Sequence, residues 1–293
     1  MAKPFVKWAG GKTQILDEIR ARYPAELGQR INKYAEPFVG GGAVLFDILS
    51  NFTLNEVYIS DINQELITTY LFIRDNVNAL IHELEQLESI YRSVESEERK
   101  KIYYEARLRF NYLKTQGNQS IEIATLFIFL NRTCFNGLYR VNSKGEFNVP
   151  QGSYKNPCIC DEKNLVKVSN LLQNVDIVCG DYTLAENFID EVTFVYFDPP
   201  YRPLTATASF CEYSKNGFDD NAQIALANFI DRMSDNGAHI IASNSDPKNI
   251  DVEDDFFDNI YARHNISRIE ANRAINSAVQ KRGKIRELII ANM

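Results

Sequence analysis

The sequence predicts an α/β fold whose core is a parallel sheet, interrupted midway by a helical insertion. Three observations carry this. Short β-type runs alternate with helical stretches towards both ends of the chain, most of those runs stop at an acid or a glycine turn, and the middle follows a helical apolar rhythm instead. Acids delivered at the ends of parallel strands gather at one edge of the sheet, where open α/β proteins bind ligands.

The first stretch, VKWAGGKTQIL (residues 6–16), contains Gly11-Lys12-Thr13, the last three letters of a phosphate-binding loop. That loop needs another glycine five residues before Gly11 and a buried strand ahead of it. Val6 occupies the glycine's place, and the five residues before it include Lys3 and Pro4, so a nucleoside triphosphatase is excluded. An aromatic, two glycines and a lysine serve something else here.

KYAEPFVGGG (33–42) rises as a strand into the turn Gly40-Gly41-Gly42, and a helical run follows from 43 to 49. Glycines let the backbone approach a ligand closely, and a helix N-terminus offers unpaired N–H groups. EVYISDIN (56–63) delivers Asp61 at the spacing where an acid accepts hydrogen bonds from ribose hydroxyls. Turn and acid together favour a nucleoside-containing cofactor. The G-x-G-x-x-G fingerprint of dinucleotide binding is absent.

From Arg74 to Phe129 the pattern is helical, with Leu80, Leu84, Leu87 and Tyr91 three or four residues apart. LNRTCFNGLYRVNSKGEFNVPQGSYKNP (130–157) follows, rich in Asn, Gly and Pro and interleaved with aromatics and Arg. Residues 74–161 therefore read as an insertion, helical with an extended loop, between two parts of the core at 1–73 and 162–293. The core resumes with VDIVCGDY, which delivers Asp181, then TFVYFDPPY, which delivers Asp198, then AHIIASNS and RELIIAN.

Asp198-Pro199-Pro200-Tyr201 is the most informative stretch. Two prolines end the ladder and hold the backbone stiffly extended. The Asp198 carboxylate and the Pro199 carbonyl become two acceptors in fixed relation, with the Tyr201 ring beside them. An exocyclic amine on a flat ring has two N–H donors and a face to stack, which this arrangement suits.

Composition narrows the classes. The net charge of −7 argues against a surface that grips nucleic acid everywhere, but two zones are basic. Residues 92–155 hold eleven Lys/Arg against six Asp/Glu, and 263–286 hold seven against one, which suggests a localised polyanion contact. Five scattered cysteines without a C-x-x-C pair read as free thiols in a reducing cytoplasm. His82, His239 and His264 sit in no ligand spacing, so no metal is expected. The apolar run 126–130 is too short to cross a bilayer, and the N-terminal residues lack a signal-peptide profile.

At this point the sequence resembles the DNA adenine-N6 methyltransferases of the Dam type. KWAGGK (7–12), EPFVGGG (36–42), SDIN (60–63), FNGLYRVNSKGEFNVP (135–150) and DPPYRPLTATASF (198–210) carry the resemblance, which spans essentially the whole chain. Their order is that of the α class. The resemblance implies a Rossmann-like sheet with a target-recognition insertion, S-adenosyl-L-methionine as cofactor and double-stranded DNA as partner. It further implies a monomeric, cytoplasmic enzyme acting at a short site, with GATC the natural proposal. Trp8, Ala9, Gly10 and Lys12 would line the cofactor with Phe38, Gly40 and Gly42, while Asp61 and the adjacent Ile62 would take the ribose side. Asp181 and Tyr182 would lie by the cofactor's adenine ring. Asp198 would touch both cofactor and target amine, with Pro199, Pro200 and Tyr201 completing the catalytic set.

For DNA, the resemblance points to Lys7, Phe135, Asn136, Leu138, Arg140 and Tyr154. Arg140 would read a guanine edge, Phe135 and Asn136 would enter the opened duplex, and Leu138 would touch a base. The basic stretch ending Lys281-Arg282-Gly283-Lys284 would add phosphate contacts. One departure stands out: GATC enzymes often carry Gly-Arg-Tyr where this chain has Gly152-Ser153-Tyr154. Two other readings stay open from sequence alone, an amino-methyltransferase acting on RNA or a protein amide, and a non-catalytic DNA-binding relative.

Overall fold

The computed structural model describes residues 1–202, 218–272 and 284–293. The six predicted runs and one further stretch, β6, form strands: β1 (Lys33–Glu36), β2 (Glu56–Asp61), β3 (Val175–Cys179), β4 (Thr193–Phe197), β5 (His239–Ser245), β6 (Asn265–Asn272) and β7 (Lys284–Ala291). They make one seven-stranded sheet in the order β3-β2-β1-β4-β5-β7-β6. β1 runs parallel to β2 and β4, and β4 parallel to β5. The expectation of a parallel sheet fails beyond β5, because β7 is antiparallel to both β5 and β6. β6 escapes sequence reading for a physical reason: its residues NISRIEAN carry a charge or amide at four of eight positions, as an edge strand tolerates.

The chain forms two compact units. Unit 2 comprises residues 12–39, 52–59 and 181–293. It holds α1 (Leu16–Arg20), α8 (Asp220–Asp235), α9 (Phe256–Ile260) and strands β1 and β4 to β7. All five residues of β4 are buried, which a strand flanked on both sides in a sheet requires. Phe197 meets Phe229 of α8 edge-on at 6.1 Å, and Tyr34 meets Phe194 at 5.6 Å. α8 starts where Asp219 accepts from the Ala222 N–H at 2.9 Å, a cap worth about 1 kcal/mol.

Unit 1 comprises residues 1–11, 40–51 and 60–180. It holds α2 (Ala43–Asn51), α3 (Gln64–Asp75), α4 (Val77–Ser93), α5 (Ser96–Thr115), α6 (Ile121–Thr133) and α7 (Glu162–Leu172). The long helical run of the sequence thus breaks into successive helices, with Leu80, Leu84 and Tyr91 of α4 buried. α6 is buried continuously from Ile123 to Asn131 and is packed by α3, α4 and α5. No helix among the described residues is long and apolar enough to cross a membrane.

After α6 the chain forms a hairpin, with Asn148 N–H donating to the Arg140 carbonyl at 3.1 Å and Asn142 N–H to the Glu146 carbonyl at 2.9 Å. The Asn142 side chain closes its tip by accepting from the Lys144 and Glu146 amides. Asn111 of α5 pairs with the Phe147 backbone through both its amide atoms, at 2.8 and 3.0 Å. Tyr103 donates to the Val149 carbonyl, Arg92 to that of Pro157 and Arg99 to that of Lys155. The first basic zone is therefore largely an anchor: these arginines satisfy loop carbonyls, and Arg109 pairs with Glu122. In the second zone Arg263 pairs with Asp235, while Arg268 and Arg286 flank the fully buried Asp246. Residues Lys281 to Gly283 lie outside the described residues, as does 203–210 of the DPPYRPLTATASF stretch.

Candidate active site

In unit 2, the buried run of β4 delivers Asp198 just beyond its last residue. Pro199 and Pro200 lack N–H groups, so pairing stops there. Lys12 Nζ lies 2.5 Å from Asp198 Oδ1, and the lysine side chain is only 3% exposed. Ser243 Oγ donates to the same oxygen at 3.1 Å and is itself 2.8 Å from the Tyr196 hydroxyl. Both partners engage Oδ1. The Tyr201 ring carries Lys12 Nζ at 4.8 Å from its centroid, and its hydroxyl donates to Glu287 at 3.0 Å.

Burial pushes the Asp198 carboxyl up, while the Lys12 ammonium opposes that rise. Burial would lower Lys12, but Asp198, with Tyr196 and Glu287 behind it, holds the ammonium above its ordinary value. Burial also raises Glu287. It sends the Tyr201 phenol well up, with Asp198 and Glu287 adding to the effect.

Three further side chains fix this turn, and no motif or spacing assigned them to it. Gln223 of α8, fully buried, donates to the Pro200 carbonyl at 3.0 Å, so it does not consume that of Pro199. Asn244 donates to Gln223 Oε1 at 3.2 Å. Arg202 makes a fork to Asp220 at 2.6 and 2.9 Å and reaches Asp254 at 2.6 Å. Elsewhere in this unit Phe38 stacks on Tyr182 at 5.5 Å and 28°. Asp181 is exposed and caps the following turn, accepting from Thr183 N–H at 3.0 Å and Thr183 Oγ1 at 2.8 Å.

Unit 1 brings together the glycine turn, Trp8 and Asp61. Gly40 has φ +48°, and a Cβ there would lie 2.7 Å from the Trp8 indole. Gly42 has φ +73°, and its Cβ would meet the Tyr70 hydroxyl at 2.6 Å. Only glycine fits either place. Asp61 accepts from Gly40 N–H at 3.1 Å and Asn63 N–H at 2.9 Å, one bond to each carboxylate oxygen. Burial raises its pKa to about 6 despite these bonds. Ile62 beside it is 74% exposed. Ala9 and Gly10 form the turn closed by Gly11 N–H donating to the Trp8 carbonyl at 3.1 Å.

The DNA-reading candidates also collect in unit 1. Phe135 is 48% exposed, and Asn136 adopts φ +56°. The buried Asn131 amide accepts from Lys7 N–H and donates to the carbonyls of Lys7 and Gly137, at 2.8, 2.8 and 3.0 Å. Sequence reading missed that clamp. Lys7 Nζ donates to the Tyr154 hydroxyl at 3.2 Å. Leu138 is half-buried, and Arg140, exposed, donates from Nε to Asn148 at 2.8 Å. Between these two, Tyr139 stacks on Trp8 at 5.8 Å and 22°. Its hydroxyl donates to Glu65 at 2.9 Å, and Lys114 Nζ meets both that hydroxyl, at 2.9 Å, and Glu65, at 2.7 Å.

A sheet of this order with Asp-Pro-Pro-Tyr at the end of β4 places the protein among the Rossmann-like methyltransferases. Residues 8–275 match the D12 class N6 adenine-specific DNA methyltransferases, and the chain belongs to that family as an adenine-specific DNA methyltransferase. It is similar to the Type II methyltransferase M.MjaIII of Methanocaldococcus jannaschii, at 49% identity over 99% of each chain. Type II methyltransferase M1.LlaDCHI of Lactococcus lactis subsp. cremoris is 35% identical over 99% of this chain and 95% of its own. The DNA adenine methylase of Escherichia coli (strain K12) is 32% identical over 98% of this chain and 94% of its own.

Proposed function

We infer that the chain methylates N6 of an adenine extruded from duplex DNA, with S-adenosyl-L-methionine as donor and GATC as target. The observation that carries this is the Asp198 carboxylate held through Oδ1 by Lys12 and Ser243 beside the Tyr201 ring. With Oδ1 engaged, Oδ2 and the Pro199 carbonyl are the acceptors for the two N6 hydrogens. They draw the amine towards tetrahedral geometry and localise the lone pair that the ring otherwise delocalises. Asp198 needs no unusual basicity, because the N6 proton becomes acidic only as the new bond to carbon forms.

Lys12 covers one face of Tyr201, so the adenine stacks on the other. That contact is worth ~1–3 kcal/mol and offsets part of the few kcal/mol that extrusion costs. Fixed orientation supplies on the order of 7–11 kcal/mol.

S-adenosyl-L-methionine, when bound, supplies a methyl group on a sulfonium. The residues of unit 1 fit its nucleoside. The side-chain-free turn at Gly40 and Gly42 admits close approach, each Asp61 oxygen retains a lone pair for a ribose hydroxyl, and Ile62 offers an exposed apolar surface. Trp8, Ala9, Gly10, Phe38, Asp181 and Tyr182 complete the assigned set. Recognition is assigned to Lys7, Phe135, Asn136, Leu138, Arg140 and Tyr154, with Arg140 on a guanine edge. The Type II name of the relative at 49% identity supports a role beside a restriction endonuclease.

Mapping methylated adenines in DNA exposed to the protein and S-adenosyl-L-methionine tests this reading. Methylation confined to GATC is expected; methylation at another sequence overturns the site, and none in any duplex overturns the reaction.

A further inference from the structure

We propose that Tyr139 is a positioning residue that couples methyl-donor binding to DNA reading, through its stack on Trp8 and its hydroxyl's anchorage on Glu65 and Lys114. The inference rests on the site reading above, in which Trp8 serves the donor and Leu138 and Arg140 serve DNA.

Tyr139 occupies the one position between those two readers, and its side chain leaves the hairpin in the opposite sense. Arg140 is exposed and Tyr139 is 5% exposed, its ring set against Trp8, Phe127 at 5.5 Å and Phe147 at 5.7 Å. Any shift of the reading backbone therefore moves a ring that lies on the indole. The indole in turn fills the space above Gly40 so closely that a single added carbon would strike it. Gly40 N–H donates to Asp61, and Asp61 lies four positions before Glu65. The contacts thus run from Arg140 through Tyr139, Trp8 and Gly40 to Asp61, and Glu65 returns to the Tyr139 hydroxyl.

The polar end argues that orientation, not filling, is the purpose. A phenylalanine would pack the same aromatic cluster. Instead the chain buries a carboxylate on α3 and reaches for it with Lys114 from α5, and both converge on the phenol. Buried ion pairs recover their desolvation cost poorly, and fixing one arrangement among several is their best-attested use. Three elements, α3, α5 and the hairpin, meet at that one hydroxyl. A packed ring locked at its far end transmits displacement rather than absorbing it.

Coupling of this kind is reciprocal and has a measurable size. Trp8 is the only tryptophan in the chain, so its emission reports on the stack directly. The test titrates S-adenosylhomocysteine, the unreactive product, into the full-length protein with and without a saturating duplex carrying the sequence the wild type methylates. Binding is followed by Trp8 emission and by calorimetry. In the wild type the duplex tightens the S-adenosylhomocysteine Kd by about tenfold, a mid-range coupling. Tyr139→Leu brings that ratio to about one while each ligand still binds alone. Tyr139→Phe and Glu65→Gln, which keep the ring and the cluster, reduce the ratio to roughly threefold. These two variants carry the test should Tyr139→Leu fail to fold by circular dichroism. A wild-type ratio of one overturns the proposal, as does an undiminished ratio in the Phe and Gln variants. Two controls separate this from the site reading itself. Unchanged S-adenosylhomocysteine affinity in Trp8→Phe, or unchanged sequence choice in Arg140→Ala, strikes the reading whatever the coupling shows.

Discussion

Lys12 and Asp198 form a buried ion pair at 2.5 Å, joining the glycine-lysine loop near the N-terminus to the end of β4. The loop that imitates a phosphate-binding motif thus spends its lysine on a carboxylate of the same chain. The pair opposes the effect of burial on the acid and engages its Oδ1.

Replacing Lys12 with methionine removes the cation that opposes the effect of burial on Asp198. The carboxyl then titrates higher, so the acid limb of the kcat/KM profile moves to higher pH. Breaking a buried pair by removing one partner also costs on the order of 3–5 kcal/mol of stability. A pH–rate series and a denaturant titration check the two effects separately.

Asp198→Ala abolishes the acceptor at the amine, and methyl transfer falls by on the order of 10²–10⁴-fold. Methyl incorporation into a fixed duplex measures the loss. Activity within tenfold of wild type would sink the role given to this carboxylate.

Gly40→Ala forces a side chain into the Trp8 indole at a backbone angle of +48°. The conformational part alone costs roughly 1–2 kcal/mol. The melting temperature falls, S-adenosyl-L-methionine binds more weakly, and Trp8 emission shifts as the ring is displaced.

Asp61 gives a pH dependence of definite sign. Its folded pKa of about 6 lies above the ordinary 3.8, so the folded state holds a proton that the unfolded state has released between those values. The contribution of Asp61 to stability is therefore favourable at acid pH and declines as pH rises through that window. Donor affinity, which needs the ionised carboxylate, runs the other way and weakens below about pH 6. Calorimetric titrations between pH 5 and about 8 follow the second trend; an affinity flat across pH 6 would remove Asp61 from the ribose.

If Arg140 reads a guanine as proposed, Arg140→Ala loses a contact worth ~1–3 kcal/mol and relaxes sequence choice more than it slows the reaction. Comparing initial rates on the cognate duplex and on one altered at the guanine decides it.

Most of the sheet was legible because TFVYF, EVYISD and HIIASNS are short, apolar and punctuated by acids or turns. β6 was not, since its polar residues suit an edge, and nothing local marks β7 as antiparallel. Among the site residues, Asp61, Asp198 and the glycines announce themselves by position in a motif. Lys12 reads as a cofactor lysine from its motif, and its pairing with Asp198 is visible only in the fold. Gln223, Asn244, Glu287, Asn131 and the Glu65–Lys114 pair could not be found at all. Their partners lie on other elements, and a lone amide or acid on a helix or strand has no periodic or spacing signal to distinguish it from a solvated face.

The bond from Asn111 to both backbone atoms of Phe147 bears on which substitutions the hairpin tolerates. A helix side chain there does the work of a neighbouring strand, and the anchorage depends on the hairpin's main chain rather than on its letters. The residues at the tip, Val141 to Glu146, close their own turn through Asn142 and take no part in this bond to α5. On the proposed reading, a hairpin seated through its main chain can change its exposed side chains, Arg140 among them, without losing its place on α5.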